Sequence, residues 1–190
     1  MMNSLCTMND NVNAICRSAF YHLKNIAAIR PMLTEEAAAK LIHAFVTSRL
    51  DSFNSLLTGS SEQVIHKLQR VQNAAARLLK CKSKCDSISA MLKELHWLPV
   101  RQRCTFKLLT LIHKCVHGRG PGNLTDIISL HQPSRSLRSA NQKLLFQPCA
   151  KMKTYGDRAF SVAGPQHWNS LPPELCAIEN YDTFKGHFAF

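Results

Sequence analysis

Apolar positions recur at helical spacing through the first half of the chain. Val12, Ile15, Cys16, Ala19, Phe20, Leu23, Ile26 and Ala27 fall on one face of a helix over about 11–29, and Pro31 ends the pattern. Thr34 is placed to cap a second helix near 35–50, with Glu35 and Glu36 close to the positive end of its dipole and Leu41, Ile42, Phe45, Val46 and Leu50 as its stripe. Asp51 to Gly59 breaks the periodicity. Ser60 and Gln63 then have the spacing of a capping box, which opens a third helix reaching about Lys80. Its inward residues are Val64, Ile65, Leu68, Val71, Ala75, Leu78 and Leu79. Ser87 to Leu95 predicts a short helix. Pro99 suits the first turn of a longer one running to His117, where Gly118 supplies the stop and Cys104, Leu108, Leu111, Ile112 and Cys115 face in.

Beyond Gly118 the helical period weakens. Leu124 to Leu130 is a brief helical pattern, Lys143 to Pro148 a short strand or extended segment, Asp157 to Trp168 a helix, Leu171-Pro172-Pro173 a turn, and Tyr181 to Phe190 a last short helix. The expected fold is therefore mainly α. A bundle of about five helices over 1–119 precedes a mixed, loop-rich extension over 120–190, and its core contains Phe20, Leu23, Ile42, Phe45, Leu68, Val71, Leu78, Leu108 and Leu111.

Charge sharpens this picture. The 190 residues carry 24 Lys and Arg against 12 Asp and Glu, a net +12. Residues 61–120 alone hold 12 basic groups and only three acidic ones, Glu62, Asp86 and Glu94. On the third helix Lys67, Arg70, Arg77 and Lys80 share an outer face, and on the fifth Arg103, Lys107 and Lys114 do so. A solvated face normally has acids among its bases. With so few acids here, the clusters point to a polyanionic partner bound through phosphates. The contact expected is weak and non-specific, to RNA, DNA or a hybrid. Arg135 and Arg138 flank a serine-rich segment that reads either as a phosphate contact or as a solvated basic loop. Trp97 and Trp168 are candidates for stacking on bases, although tryptophans more often anchor cores.

Other chemistry finds little support. Cys81-x3-Cys85 followed by His96, Cys104 and His113-x3-His117 leaves 27 residues between its pairs, 86 to 112, against about a dozen in a two-Cys, two-His finger. No metal and no cofactor is expected. There is no phosphate-binding glycine loop and no nucleophile elbow, and the adjacent pair Glu35-Glu36 diverges around a helix. No catalytic residue is assigned. No apolar run approaches the roughly 18 residues that a bilayer requires, and no leader is visible. Eight cysteines without a secretory signal are expected to be reduced, in an intracellular setting that is cytoplasmic or nuclear. The oligomeric state is left open.

Several runs resemble one family. Ser48-Arg49-Leu50-Asp51, Asn54-Ser55-Leu56-Leu57 and Lys67-Leu68-Gln69-Arg70-Val71-Gln72-Asn73-Ala74-Ala75-Ala76-Arg77 are similar to the region following the polymerase core of LINE-type, non-LTR retrotransposon reverse transcriptases. Leu95-His96-Trp97-Leu98-Pro99-Val100 with Arg101 and Arg103, Tyr155-Gly156-Asp157-Arg158-Ala159-Phe160-Ser161, Trp168-Asn169-Ser170-Leu171-Pro172 and Phe184-Lys185 resemble the same region further on. The resemblance implies a helical thumb that grips template and primer, followed by a carboxy-terminal extension. Such polymerases use an aromatic-x-Asp-Asp motif to hold two Mg2+ ions, and no adjacent Asp pair occurs in this chain. Ser52, Phe53 and Asn123 depart from the family's pattern, as in a diverged copy. The reading is a non-catalytic, truncated carboxy-terminal fragment that binds nucleic acid, starting at a Met after the polymerase core. Two alternatives stay open: a helical protein-interaction module retained by a host, and an inert pseudogene product.

Overall fold

The computed structural model of the chain describes residues 8–52, 54–131, 143–149 and 156–188. It is mainly helical, as the periodicity requires. Arg135 and Arg138 lie outside the described residues. The chain forms two compact units, one up to Arg103 and the other from Cys104. The change of texture at 119/120 is thus not where the units divide. Leu108, Leu109 and Ile112 are committed to the second core, so most of the fifth predicted helix belongs there.

In the first unit, helix α1 (Met8–Ile29) packs along α4 (Glu62–Lys80). Between them lies a continuous helical run: α2 (Glu35–Ile42), a π turn (His43–Thr47) and α3 (Ser48–Asp51). Thr34 caps it as expected, its Oγ1 accepting from the Ala37 N–H at 3.2 Å. Ala38, Ile42, Val46 and Leu50 are buried at a spacing of four, against Val12, Ala19, Leu23 and Ile26 of α1 and Leu68, Val71 and Ala75 of α4 in one core.

Phe20 and Phe45 are corrections to the predicted core, because both lie more than two-fifths exposed at the surface. The π turn explains Phe45: a turn closed from i to i+5 is wider than an α turn and carries this ring further round the helix from Ile42. On α1, Ala19 and Leu23 already fill the inward line, which leaves Phe20 on its outer flank. Leu78 and Leu111 are half-buried. The capping box is a second correction. Ser61, not Ser60, precedes α4 and makes no side-chain cap, while the Ser60 hydroxyl is buried without a hydrogen-bond partner.

Helix α5 (Ile88–Glu94) and the start of α6 (Val100–Val116) are joined by a turn that α4 holds from beneath. The Gln72 side chain donates to the Leu98 carbonyl at 2.8 Å, and Gln69 accepts from the Val100 N–H at 2.9 Å, satisfying one of the free donors at the start of α6. Trp97 is buried in this turn and is not available to stack on a base.

The second unit is built on the remainder of α6, with α7 (Gly122–Thr125), α8 (Phe160–Asn169), α9 (Pro173–Cys176) and α10 (Tyr181–Gly186). Leu108, Leu109 and Ile112 meet Leu145, Ala163, Trp168, Cys176 and Phe184 in its core. Gly164 allows α8 to approach α6, since a Cβ there would stand 3.2 Å from Ile112 Cδ1. Trp168 is wholly buried, and its indole N–H donates to the Lys143 carbonyl at 2.8 Å, so it is a core anchor too. The strand considered over 143–148 is reduced to a single antiparallel bridge, Leu130 to Leu145. Its other side is taken by Asn169, whose amide accepts from the Leu145 N–H and donates to the Leu145 carbonyl, both at 2.9 Å. The elements at this end are shorter than their patterns suggest: 122–125, 160–169 and 181–186.

Candidate nucleic-acid interface

The seven basic side chains singled out from the sequence are divided between the units, five in the first and two in the second. Their surroundings sort them further. Lys67 donates to Asn13 Oδ1 at 2.8 Å, which ties α4 to α1. Arg70, one turn on, is exposed, and its charge with that of Lys67 acts on the nearby Cys16 thiol. Burial pushes that thiol up, and the two cations pull it down. Arg77 is half-buried, with its Nε enclosed and without a hydrogen-bond partner. It lines a recess of about 570 Å³ with Ala27, Arg30, Pro31, Leu78, Cys81 and Lys82.

Lys80 has a structural task. Its ammonium lies 2.7 Å from both Glu35 and Glu94, joining α2, α4 and α5. The hydrogen bonds to Glu35 and then Glu94 hold it above the usual lysine range, and Lys80 holds Glu94 below the usual carboxylate range. Arg103 pairs with Asp51, itself bonded to Asn54 at 2.7 Å. In the second unit Lys107 is exposed, while the Lys114 ammonium lies 4.7 Å from the centre of the Tyr181 ring.

The three acids of the middle third all have partners, and the charges of Lys82 and Arg77 act on Asp86 as well. Glu62 pairs with Arg101, Glu94 with Lys80, and Asp86 accepts from the Ser83 N–H at 2.7 Å. Arg70, Arg77 and Lys107 therefore form no ion pair among the described residues. Lys82, exposed beside the recess, lies just past the end of α4, where helical periodicity gives it no face to share. The role of Arg30 is positioning. Its guanidinium donates to the Leu78 and Leu79 carbonyls at 3.2 and 2.8 Å, and to the Leu33 carbonyl at 2.9 Å. It thereby satisfies acceptors that the end of α4 leaves open. A lone arginine before a proline carries no sequence signal of that distant partner.

Among the described residues, no group of three His, Cys, Asp or Glu is placed to hold a metal ion. Nor is any helix among them long and apolar enough to cross a membrane. Comparison with protein-family models, curated proteins and solved structures finds no match to this chain.

Proposed function

We propose that this chain is a non-catalytic thumb-and-downstream portion of a LINE-type reverse transcriptase that binds the nucleic-acid backbone through its basic helix faces. The observation that carries the reading is the disposition of charge. Glu62, Asp86 and Glu94 have partners of their own, and among the described residues Arg70, Arg77 and Lys107 form no ion pair, on helices whose opposite faces are committed to cores. Such cations, Arg70 and Arg77 on one unit and Lys107 on the other, gain free energy from counterion release when they meet phosphates. The similarity of the Lys67–Arg77 and Leu95–Arg103 runs to the polymerase family supports the same partner. Lys80 and Arg103, already paired, serve mainly to hold the helices that present the others. No groove-reading motif accompanies these residues, so the affinity is backbone-directed and indifferent to sequence.

The test is a salt titration of the full chain against a 20-base-pair duplex. With about five phosphates neutralised, log K falls against log salt with a slope of about −4. Replacing Arg70, Arg77 and Lys107 together by Ala brings the slope about three units closer to zero. Salt-insensitive affinity, or an unaltered slope in the triple variant, overturns the proposal in favour of a protein-interaction module or an inert fragment.

A further inference from the structure

Phe45, which leaves the predicted core of the first unit, does so against a ring of α1. Tyr21 is 63% exposed, Phe45 43% and Phe20 42%. Between Tyr21 and Phe45 lies His22. Its ring is stacked on Phe45 at 5.1 Å between centroids and 23° between planes, and Tyr21 meets its edge at 5.5 Å and 74°. Large aromatic rings open to water carry a hydration cost that a solvent-facing helix surface ordinarily avoids. Here the backbone itself departs from α geometry to put one there, since Phe45 sits within the π turn, a feature that recurs at functional positions.

The surroundings of the rings are cationic. Arg17, Tyr21 and Lys24 follow at helical spacing on α1, so that the ring lies between the two charges, and both are exposed. Arg49, one turn beyond Phe45, is held against α1 by a 2.8 Å bond from its Nη1 to Ser18 Oγ, and Ser18 is one turn before His22. The shelf therefore combines rings with three cations along a pair of helices. Residues 11–34 contain no Asp or Glu, and neither do residues 37–50. A protein surface complementary to the rings alone would not require this charge. A strand with both bases and phosphates matches both features.

We infer that the shelf formed by Tyr21, His22 and Phe45, flanked by Arg17, Lys24 and Arg49, binds a single-stranded nucleic acid by stacking its unpaired bases. Rings accept any base by its face, and cations follow the backbone, so the preference is for an unpaired strand and not for a sequence. A duplex offers the rings nothing, because its bases are already stacked and paired. The inference rests on the nucleic-acid reading above and deepens it, adding a base-stacking site separate from the phosphate-contacting residues of α4 and α6.

The experiment compares three probes of equal length on the full chain by fluorescence anisotropy: a 20-nucleotide oligothymidylate, the same strand with every base removed, and a 20-base-pair duplex. Wild-type protein binds the oligothymidylate more tightly than the abasic strand. Tyr21→Leu with Phe45→Leu keeps apolar bulk at exposed positions, and so leaves the fold intact by circular dichroism while removing the π faces. The double variant loses about tenfold or more in affinity for oligothymidylate, since each stacked base depends on its ring. Its affinities for the abasic strand and the duplex stay within twofold of wild type. Equal losses on all three probes, no loss on any, or a wild-type protein that does not distinguish the two single strands overturns the shelf while the salt-dependent duplex reading stands. Failure of the wild type to bind any of the three removes both.

Discussion

The two units solve the burial of polar groups in different ways. The first is tied at its ends by charge: Lys80 joins three helices through two carboxylates, Arg103 meets Asp51, and Arg30 closes the last turn of α4. The first also buries the Gln72 amide, bonded to the Leu98 carbonyl, whereas the second buries a titratable ring. His113 is wholly buried, stacked on Phe184 at 4.4 Å and lying 4.3 Å from His117, with Nε2 2.8 Å from the Ile178 carbonyl. Because that carbonyl can only accept, Nε2 carries the proton and Nδ1 is left without a partner. A unit tied by half-buried ion pairs at its periphery tolerates loss of a pair better than one held by a wholly buried ring tolerates loss of the ring.

The largest effect that separates them comes from the second core. Trp168→Ala removes a fully buried indole together with its hydrogen bond to Lys143, at a cost of about 3–5 kcal/mol, whereas Leu68→Ala in the first costs about 2–5 kcal/mol. Denaturant unfolding followed by far-ultraviolet circular dichroism measures both. A loss under about 1 kcal/mol for Trp168→Ala would remove the indole from the core and the contrast with it. Next in size is Arg30→Ala, which exposes three carbonyl acceptors and costs about 1–3 kcal/mol in the same measurement. An unchanged midpoint would show that water replaces the guanidinium without loss.

Smallest, and most specific to the second unit, is a dependence on pH. Burial is the main cause that pushes His113 below the ordinary histidine value, and the charges of His117, Arg119 and Lys143 act in the same direction. The unfolded chain therefore takes up a proton first, near pH 6.5, and stability present above that value is lost as pH falls towards the lower folded value. His167, also depressed by burial, adds to the trend. The unfolding midpoint should drop between about pH 7.5 and pH 5, with a shallower drop in His113→Asn. A midpoint flat across that interval would mean that the ring is solvated when folded.

Much of the helical frame is legible in the chain, and the exceptions have causes. Pro31, Thr34, Pro99 and Gly118 mark boundaries because each changes what the backbone can do at its own position. Three helices nevertheless end through the same left-handed residue, at Cys81, His96 and Gly118, each with the following N–H returning to a carbonyl five residues back. Only the glycine announces that conformation, since a cysteine or histidine adopts it through packing. The π turn is likewise silent, and with it the exposure of Phe45. At the interface, sequence identifies the excess of cations but not their employment. That Lys80 and Arg103 are paired while Arg70, Arg77 and Lys107 form no ion pair among the described residues depends on acids brought from 45 and 52 positions away as well as nearby ones.

One small feature of the second unit bears on how the molecule meets copies of itself. Extended backbone invites a neighbouring chain to continue its ladder, the first step of aggregation. At Leu145 that invitation is withdrawn: the Asn169 amide occupies the N–H and carbonyl on one edge, while the His131 N–H donates to the Leu144 carbonyl and the Phe146 N–H to the Ser129 carbonyl on the other. A side-chain amide here acts as a one-residue strand that cannot be extended.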